Sequence, residues 1–468
     1  MSYFSLIYLG IFSLIISVLS FFNIIYSYYF NLYLDLDSYI YSLILSLILG
    51  SIFLLKKKDN YKISIYHKIL TVISGYFILP LIISIPFYFS TYNISFLDSY
   101  FESISGFTST GFSIFDNIKH IDQSLILWRS SSQWLGGLYF LFSIILLINI
   151  FDNSLKKSLT NFLSFNTAET LKQSSKILIL YILLTFGIFL ILNIFDFRLF
   201  DSFNLALTLI SSGGFLPVNN LSTIVNTNIK EIIFALMMLV SFFSIFLSYN
   251  LFFIKNKNIS FFQEDIYLFI YLVTIIFLFF LFFNSDYNFS VIFLSLTSSI
   301  SNIGFSLDDS PQNLSFMFLI LVIIGGSFFS TSSGIRFLKL YALFKFSIND
   351  LISHVKPKNV FLNRNFLLNT SFQKLEIDKY FLSVLIFILS LFLLTSFLSV
   401  SGISLESSFK LSILTLMNTV NSSMYDMNYF DFQELQFFTK YYLIIFMIIG
   451  RVELLTLLII CKKFLFKN

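Results

Sequence analysis

The chain alternates between long apolar runs and short polar intervals. Ten of the runs carry few or no charged residues, at 3–30, 38–55, 69–90, 130–151, 177–195, 232–254, 266–285, 313–335, 380–400 and 438–461. Each approaches or exceeds the roughly 20 residues that a helix needs to cross hydrocarbon, so the pattern predicts ten full transmembrane helices. Four polar intervals, 91–129, 196–231, 286–312 and 401–440, each begin with an apolar, Ser-rich stretch that is too short to cross: Asp98–Thr110, Asp201–Ser212, Phe289–Ile303 and Glu406–Val420. At about 1.5 Å per residue such a helix covers only about half of a bilayer. These stretches are expected to dip in and return, as re-entrant half-helices.

Three of the half-helices end on glycine, in Ser109-Thr110-Gly111-Phe112, Ser212-Gly213-Gly214-Phe215 and Asn302-Ile303-Gly304-Phe305. The steps from Gly111 to Gly213 and from Gly213 to Gly304 are 102 and 91 residues, so one unit of helix, half-helix, glycine and helix recurs about every hundred positions. The expected fold is an all-α membrane protein. An N-terminal helix pair (1–60) precedes four pseudo-fourfold units at 61–155, 156–258, 259–350 and 351–468, arranged around a central pore.

Composition narrows the class. Hydrophobic residues make up 57% and charged residues 12% of the 468 positions, against about 25% charged in soluble domains, which excludes a soluble globule. With the basic stretch Lys56–Lys68 placed in the cytoplasm, the inner loops and tail hold 22 of the 29 Lys and Arg, as the positive-inside rule requires. Of the 25 acidic residues, 16 fall on the opposite side and would make the outer face a cation-collecting surface. The single cysteine, Cys461, permits no internal disulfide and no cysteine metal site. No basic residue precedes Lys56, so the apolar N-terminus lacks the charged start of a cleavable signal and is expected to be a retained span.

Irregular backbone at membrane depth survives only where it is buried in protein or lines a water-filled cavity. Four such segments around one axis would offer main-chain oxygens in place of part of a small cation's water shell. The negative ends of the half-helices would point at the same ion. The candidate filter residues are Ser109, Thr110 and Gly111; Ser211, Ser212 and Gly213; Asn302, Ile303 and Gly304; and Val420 with Asn421. The competing reading is that Ser/Thr-Gly ends are close-packing positions between helices.

Four segments in order resemble the TrkH/KtrB/HKT superfamily of potassium transporters. Phe101-Glu102-Ser103-Ile104-Ser105-Gly106-Phe107-Thr108-Ser109-Thr110-Gly111 is similar to its first pore segment, and Leu127-Trp128-Arg129-Ser130-Ser131-Ser132-Gln133-Trp134-Leu135-Gly136-Gly137 to the helix start that follows. Ile324-Gly325-Gly326-Ser327, continuing through Ser330-Thr331-Ser332-Ser333-Gly334-Ile335-Arg336, resembles the broken third-repeat helix, and Gly450-Arg451-Val452-Glu453 resembles the Gly-Arg-Leu-Glu of the last helix. The two extra N-terminal spans are similar to the TrkH branch.

The resemblance implies M1-P-M2 units, potassium as substrate with no cofactor in this chain, a homodimer in a bacterial inner membrane, and a separate cytoplasmic ring of TrkA-type nucleotide-binding chains. That ring would dock on the inner loops, above all on Arg336, Lys339, Lys345, Lys356, Lys358, Arg364, Lys374 and Lys379; ordinary positive-inside topology explains the same charges. The resemblance also implies that Gly325, Gly326, Ser327, Ser330, Thr331, Ser332, Ser333 and Gly334 form an intramembrane gate, and that Arg451 is a positive barrier below the filter. A static kinked helix, and a structural ion pair for Arg451, are the plainer alternatives.

The fourth repeat departs from the pattern. It reads Met417-Asn418-Thr419-Val420-Asn421, and no glycine lies between Gly402 and Gly450. Alignment of Asn418-Thr419-Val420-Asn421 with the family's Asn-Asn-Leu-Gly makes Asn421 the expected occupant of the missing glycine's place, and Asn tolerates the positive φ that this place would require. The third repeat has Asn302-Ile303 where Thr-Thr is usual, so sodium or mixed transport is an alternative to strict potassium selectivity. A secondary carrier of another solute is a further one, although the three histidines fall in loops and only Arg451 and Glu453 lie well inside the spans. No enzyme motif is present. Glu102, alone on the first half-helix, is open to cation attraction, capping or solvation.

Overall fold

The computed structural model describes residues 3–55, 65–151, 170–245, 247, 263–283, 287–355, 374–427 and 430–452. Within them helices α1 (Tyr3–Tyr29), α2 (Leu36–Leu55) and α3 (Ile65–Tyr88) lead into a short α4 (Phe96–Phe107) and a long α5 (Gln123–Phe151). Three comparable sets follow. They are α6 (Thr170–Ile194), α7 (Leu199–Ile210) and α8 (Asn228–Phe242); α9 (Gln263–Phe283), α10 (Phe289–Ile300) and α11 (Ser315–Ile323); and α13 (Lys374–Val400), α14 (Leu405–Leu416) and α15 (Phe437–Arg451). Two-residue strands β1 (Ile324–Gly325) and β2 (Ile335–Arg336) and helix α12 (Phe337–Val355) lie between the third and fourth sets.

Seven helices among the described residues are long and apolar enough to cross a membrane, and the chain is a multi-pass membrane protein. They match seven of the ten expected spans. The other three, expected at 232–254, 313–335 and 438–461, contain described helices of 15, 9 and 15 residues. The first of these stops at Phe242 because Phe243 turns extended, with ψ 164°. The second stops at Ile323, two residues before the first of the paired glycines Gly325 and Gly326. The third carries Glu453 and Cys461 beyond the described residues.

The four short helices are 12 residues each, and their buried positions hold mostly Ser, Thr, Leu and Ile. Ser95 and Ser404 cap α4 and α14 by accepting a backbone N–H, while Arg198 and Asn288 precede α7 and α10 without a side-chain cap. Each short helix packs on the long helix before it and on the helix after it. The helix after it then packs on the next short helix: α5 on α7, α8 on α10, α11 on α14 and α15 on α4. The last contact closes a ring. Lys440 of α15 also pairs with Asp98 of α4 across that closure. The α1–α2 pair lies outside the ring against α3, with α1 also on α5, and Tyr39 and Asn23 bond to Ser124 at the start of α5.

Candidate functional site

All four short helices end in the same turn. After the last helical residue come one residue with φ between −80° and −92° and ψ near 0° (Thr108, Ser211, Ser301, Met417) and then one left-handed residue: Ser109 (φ 59°), Ser212 (φ 55°), Asn302 (φ 59°) and Asn418 (φ 48°). The N–H of the next residue closes the turn on a carbonyl five positions back: Thr110 to Ser105 (2.9 Å), Gly213 to Thr208 (2.8 Å), Ile303 to Ser298 (3.1 Å) and Thr419 to Leu414 (2.9 Å). This hydrogen bond satisfies a carbonyl that the helix end leaves free.

The turns fix the register of the repeats independently of residue type. Gly111, Gly214, Gly304 and Val420 occupy equivalent places, one residue beyond the closing N–H. Two expectations shift by one residue in consequence. In the second repeat the equivalent glycine is Gly214 rather than Gly213, and in the fourth the glycine's place is taken by Val420 rather than Asn421. Asn421 lacks the positive φ expected of it, which Asn418 adopts instead. The adjacent glycines hid the first shift. The second was legible in one respect, since Asn302 and Asn418 hold the same left-handed position, and each donates its Nδ2 to a late carbonyl of the following helix (Val322, 2.7 Å; Met447, 2.9 Å).

The four turns meet one another. A Cβ built on Gly111 would lie 2.5 Å from Gly214 Cα, one on Gly214 would lie 2.6 Å from Val420 Cβ, and one on Gly304 would lie 2.6 Å from Val420 O. Asn418 Nδ2 donates to Thr110 Oγ1 (3.0 Å), and Ser212 Oγ donates to Ser301 O. The second and fourth sets face each other across the ring, so the isopropyl group of Val420 reaches across the axis. The amide of Val420 also donates to Ile303 O (3.3 Å), which engages one of the oxygens expected to face an ion. The four turns approach one another closely, and the side chain of Val420 lies against Gly214 of the second turn.

Directly beside this centre lies the loop 326–334. Parallel pairing of β1 with β2, Ile324 opposite Ile335 and Gly325 opposite Arg336, brings its two ends together. Thr331 Oγ1 donates to Ile210 O at the end of α7 (2.7 Å), while Ser327 and Ser332 donate backbone N–H groups to Phe242 O (3.0 Å) and Ser241 O (3.1 Å). The side chain of Arg336 gathers the loop from within, with Nη1 donating to Ser327 O, Ser330 Oγ and Ser332 O. Gly326 allows the approach, since a Cβ there would lie 2.3 Å from Phe242 O.

Arg451 links loop and turns. It is 2% exposed, and its guanidinium donates to Ser333 Oγ, to Ser109 Oγ (3.3 Å) and to Ser211 O (3.4 Å), with the Phe140 ring 4.1 Å from its charged carbon. Among the described residues no carboxylate lies within ion-pair distance of it. A cavity of about 60 Å³, lined in part by Ser333, Arg336, Lys339, Met417, Gly450 and Arg451, adjoins it.

Glu102 is neither solvated nor open to a passing cation. It is fully buried, pairs with Arg129 Nε (2.8 Å) and accepts the Ile114 N–H (2.9 Å), so it braces the chain just beyond Gly111. Phe215 lies 4.2 Å from the Arg129 guanidinium. Removing one partner of a buried pair leaves an uncompensated charge and costs about 3–5 kcal/mol. Arg129→Met is therefore expected to lower the melting temperature in detergent sharply, and Arg129→Met with Glu102→Leu to recover most of the loss. The same helix supplies Gln133, whose Oε1 accepts the Phe215 N–H (3.2 Å), and Gly136, where a Cβ would lie 1.9 Å from Phe107 O. Gly450 plays the same part against Leu416 O in the fourth set, at 2.2 Å. On the loop side of the turns, partial burial and then Asp431 and Glu434 raise the Asp116 carboxyl above its ordinary range.

Comparison with known proteins gives relatives of one kind. An uncharacterised cation transporter of Methanocaldococcus jannaschii is 25% identical over 323 residues, covering 67% of this chain and 66% of the relative. The Trk system potassium uptake protein TrkH of Escherichia coli K12 is 23% identical over 437 residues and TrkG of the same strain 24% over 436, with 86% and 88% of both chains covered. The crystal structure of the potassium transporter TrkH from Vibrio parahaemolyticus has the same fold, with a TM-score of 0.82 over 98% of both chains at 20% identity. Together these matches fit the TrkH/KtrB superfamily. No protein-family model matches the chain. The relatives from the TrkH/KtrB superfamily are transporters, not enzymes. The residues that carry the superfamily resemblance in the sequence, among them Glu102, Arg129, Gln133, Gly136, Gly325, Gly326, Gly450 and Arg451, lie at or around the four turns and the loop beside them.

Proposed function

We propose that the chain is a channel-like pathway for potassium uptake. The observation that supports this best is that four short helices end in one repeated turn and meet on the axis of a closed ring. On this reading the M1-P-M2 units are 61–155, 156–258, 259–350 and 351–468, with the pair 1–60 outside them. The short helices are re-entrant from the outer face, and the positively charged loops lie in the cytoplasm of a bacterial inner membrane. The filter is formed by Ser109, Thr110 and Gly111; Ser212, Gly213 and Gly214; Asn302, Ile303 and Gly304; and Asn418, Thr419 and Val420. The loop 326–334 with Arg451 is the gate. The chain works as a homodimer, with a TrkA-type ring on its inner loops supplying nucleotide control. Of the proposed docking residues, Lys356, Lys358 and Arg364 lie outside the described residues.

No metabolic energy need enter through the chain. A potential of 100 mV, negative inside, is worth about 2.3 kcal/mol per charge. That corresponds to accumulation of roughly fiftyfold. One observation keeps a second reading, sodium or weakly selective transport, alongside potassium: the valine in place of the fourth glycine. Rescue of potassium-limited growth in cells lacking their own uptake systems, repeated under sodium competition, tests both. Rubidium flux into vesicles containing the purified chain is the direct measurement. Failure of rubidium to enter under an inside-negative potential, with the protein folded, would overturn the pathway.

A further inference from the structure

We propose that Glu264 and Asp265 are positioning residues that latch the loop 326–334 in place, and that α9 is the lever that works the latch. The proposal rests on the reading of that loop as the gate. Glu264 Oε1 accepts the Phe328 N–H (2.8 Å) and Asp265 Oδ1 accepts the Ser244 N–H (3.0 Å). Both N–H groups sit where helical bonding has stopped, one inside the loop and the other just past the end of α8. Between them the two irregular segments bond directly, Ile245 N to Phe329 O (3.0 Å) and Ser327 N to Phe242 O (3.0 Å). The neighbouring carboxylates thus grip both halves of a single backbone junction. Adjacent residues on a helix point about 100° apart, which lets one turn address two different segments.

Position makes this more than capping. Both residues lie in the first turn of α9, where the helix dipole favours negative charge, immediately after the interval 248–262 that joins the second set to the third. Little of the rest of α9 packs on the bundle: its apolar window is 22% buried within the chain, the smallest share among the seven long helices of the described residues. A helix that packs so little of its surface on the bundle moves at low cost. A shift of one or two ångströms along its axis takes both carboxylates out of hydrogen-bond range, because such bonds weaken steeply beyond about 3.5 Å. A pull on the interval before Gln263 would then free Phe328 and Ser244 together.

The test uses the full chain in lipid vesicles, with two readouts on each variant: hydrogen exchange in the segment 324–336 and rubidium flux. Glu264→Ala removes the acceptor and is expected to speed exchange in that segment about tenfold, as befits loss of a buried hydrogen bond. Flux should rise with it. Glu264→Gln keeps an acceptor oxygen and is expected to stay within about twofold of the parent on both readouts. Asp265→Ala gives an independent variant with the same expected direction. Faster exchange without a change in flux keeps the latch and overturns the gate reading. Unchanged exchange in both alanine variants overturns the latch, whatever the flux does.

Discussion

Val420→Gly is expected to raise rubidium flux by about tenfold, a change of about 1.4 kcal/mol in the barrier, and to sharpen the preference for potassium over sodium. The reasoning is steric and electrostatic together. Val420 stands where the other three turns have Gly111, Gly214 and Gly304, and its Cβ approaches the backbone of Gly214 across the axis. An alkali ion on that axis needs oxygens in place of its water, and an isopropyl group supplies none while excluding the ion sterically. Glycine at this position removes the obstruction and allows the carbonyls of the fourth turn to reorient. It also loosens the unfolded chain, so a modest fall in thermal stability, on the order of 1 kcal/mol, should accompany the gain. Asn421→Gly, one residue on, is expected to change neither flux nor ion preference. A well-folded Val420→Gly variant with unaltered flux and unaltered potassium-to-sodium ratio would remove Val420 from the pathway, and a shift produced by Asn421→Gly would restore the register expected from the sequence.

The second large effect concerns Arg451. A unit charge about 5 Å from a passing cation, in surroundings with an effective dielectric constant of about 20, opposes it by about 3 kcal/mol. Ser211 O and the neighbouring helix ends offset part of that. Arg451→Gln removes the charge while keeping a donor for Ser333 and is expected to increase flux at least tenfold. Arg451→Lys separates charge from shape: it keeps the barrier but loses the forked contacts to Ser109 and Ser211. It should remain close to the parent. If the lysine variant conducted as freely as the glutamine variant, packing rather than charge would be what Arg451 contributes.

Much of this was readable from local pattern. The seven long helices were visible because hydrocarbon excludes charge over a fixed length. The four short helices were visible for the complementary reason, that 12 residues cannot complete the crossing. Relationships between distant segments were not visible. Glu102 and Arg129 are 27 positions apart on different helices, and no spacing rule pairs them. Glu264 and Asp265 precede the expected span 266–285, and only the structure shows them opening α9 with their side chains on two other segments. The early end of α8 at Phe242 has the same character, since the N–H groups that donate to its free carbonyls come from Ser327 and Ser332, some ninety residues later. Glycine does not mark the register of the fourth repeat; the backbone marker is the left-handed residue, Asn418, that precedes the closing N–H of Thr419.

The ring of four sets has three seams that the polypeptide crosses and one that it does not. Between the fourth set and the first, closure rests on non-covalent contacts alone: α15 against α4, the Lys440–Asp98 pair, and the bonds from Asn418 to Thr110 and from Arg451 to Ser109. Nothing covalent limits separation there. Sideways dilation should therefore begin at this joint, giving the pathway a preferred direction of widening, and reagents that bridge α15 to α4 should stiffen the whole assembly from a single weld.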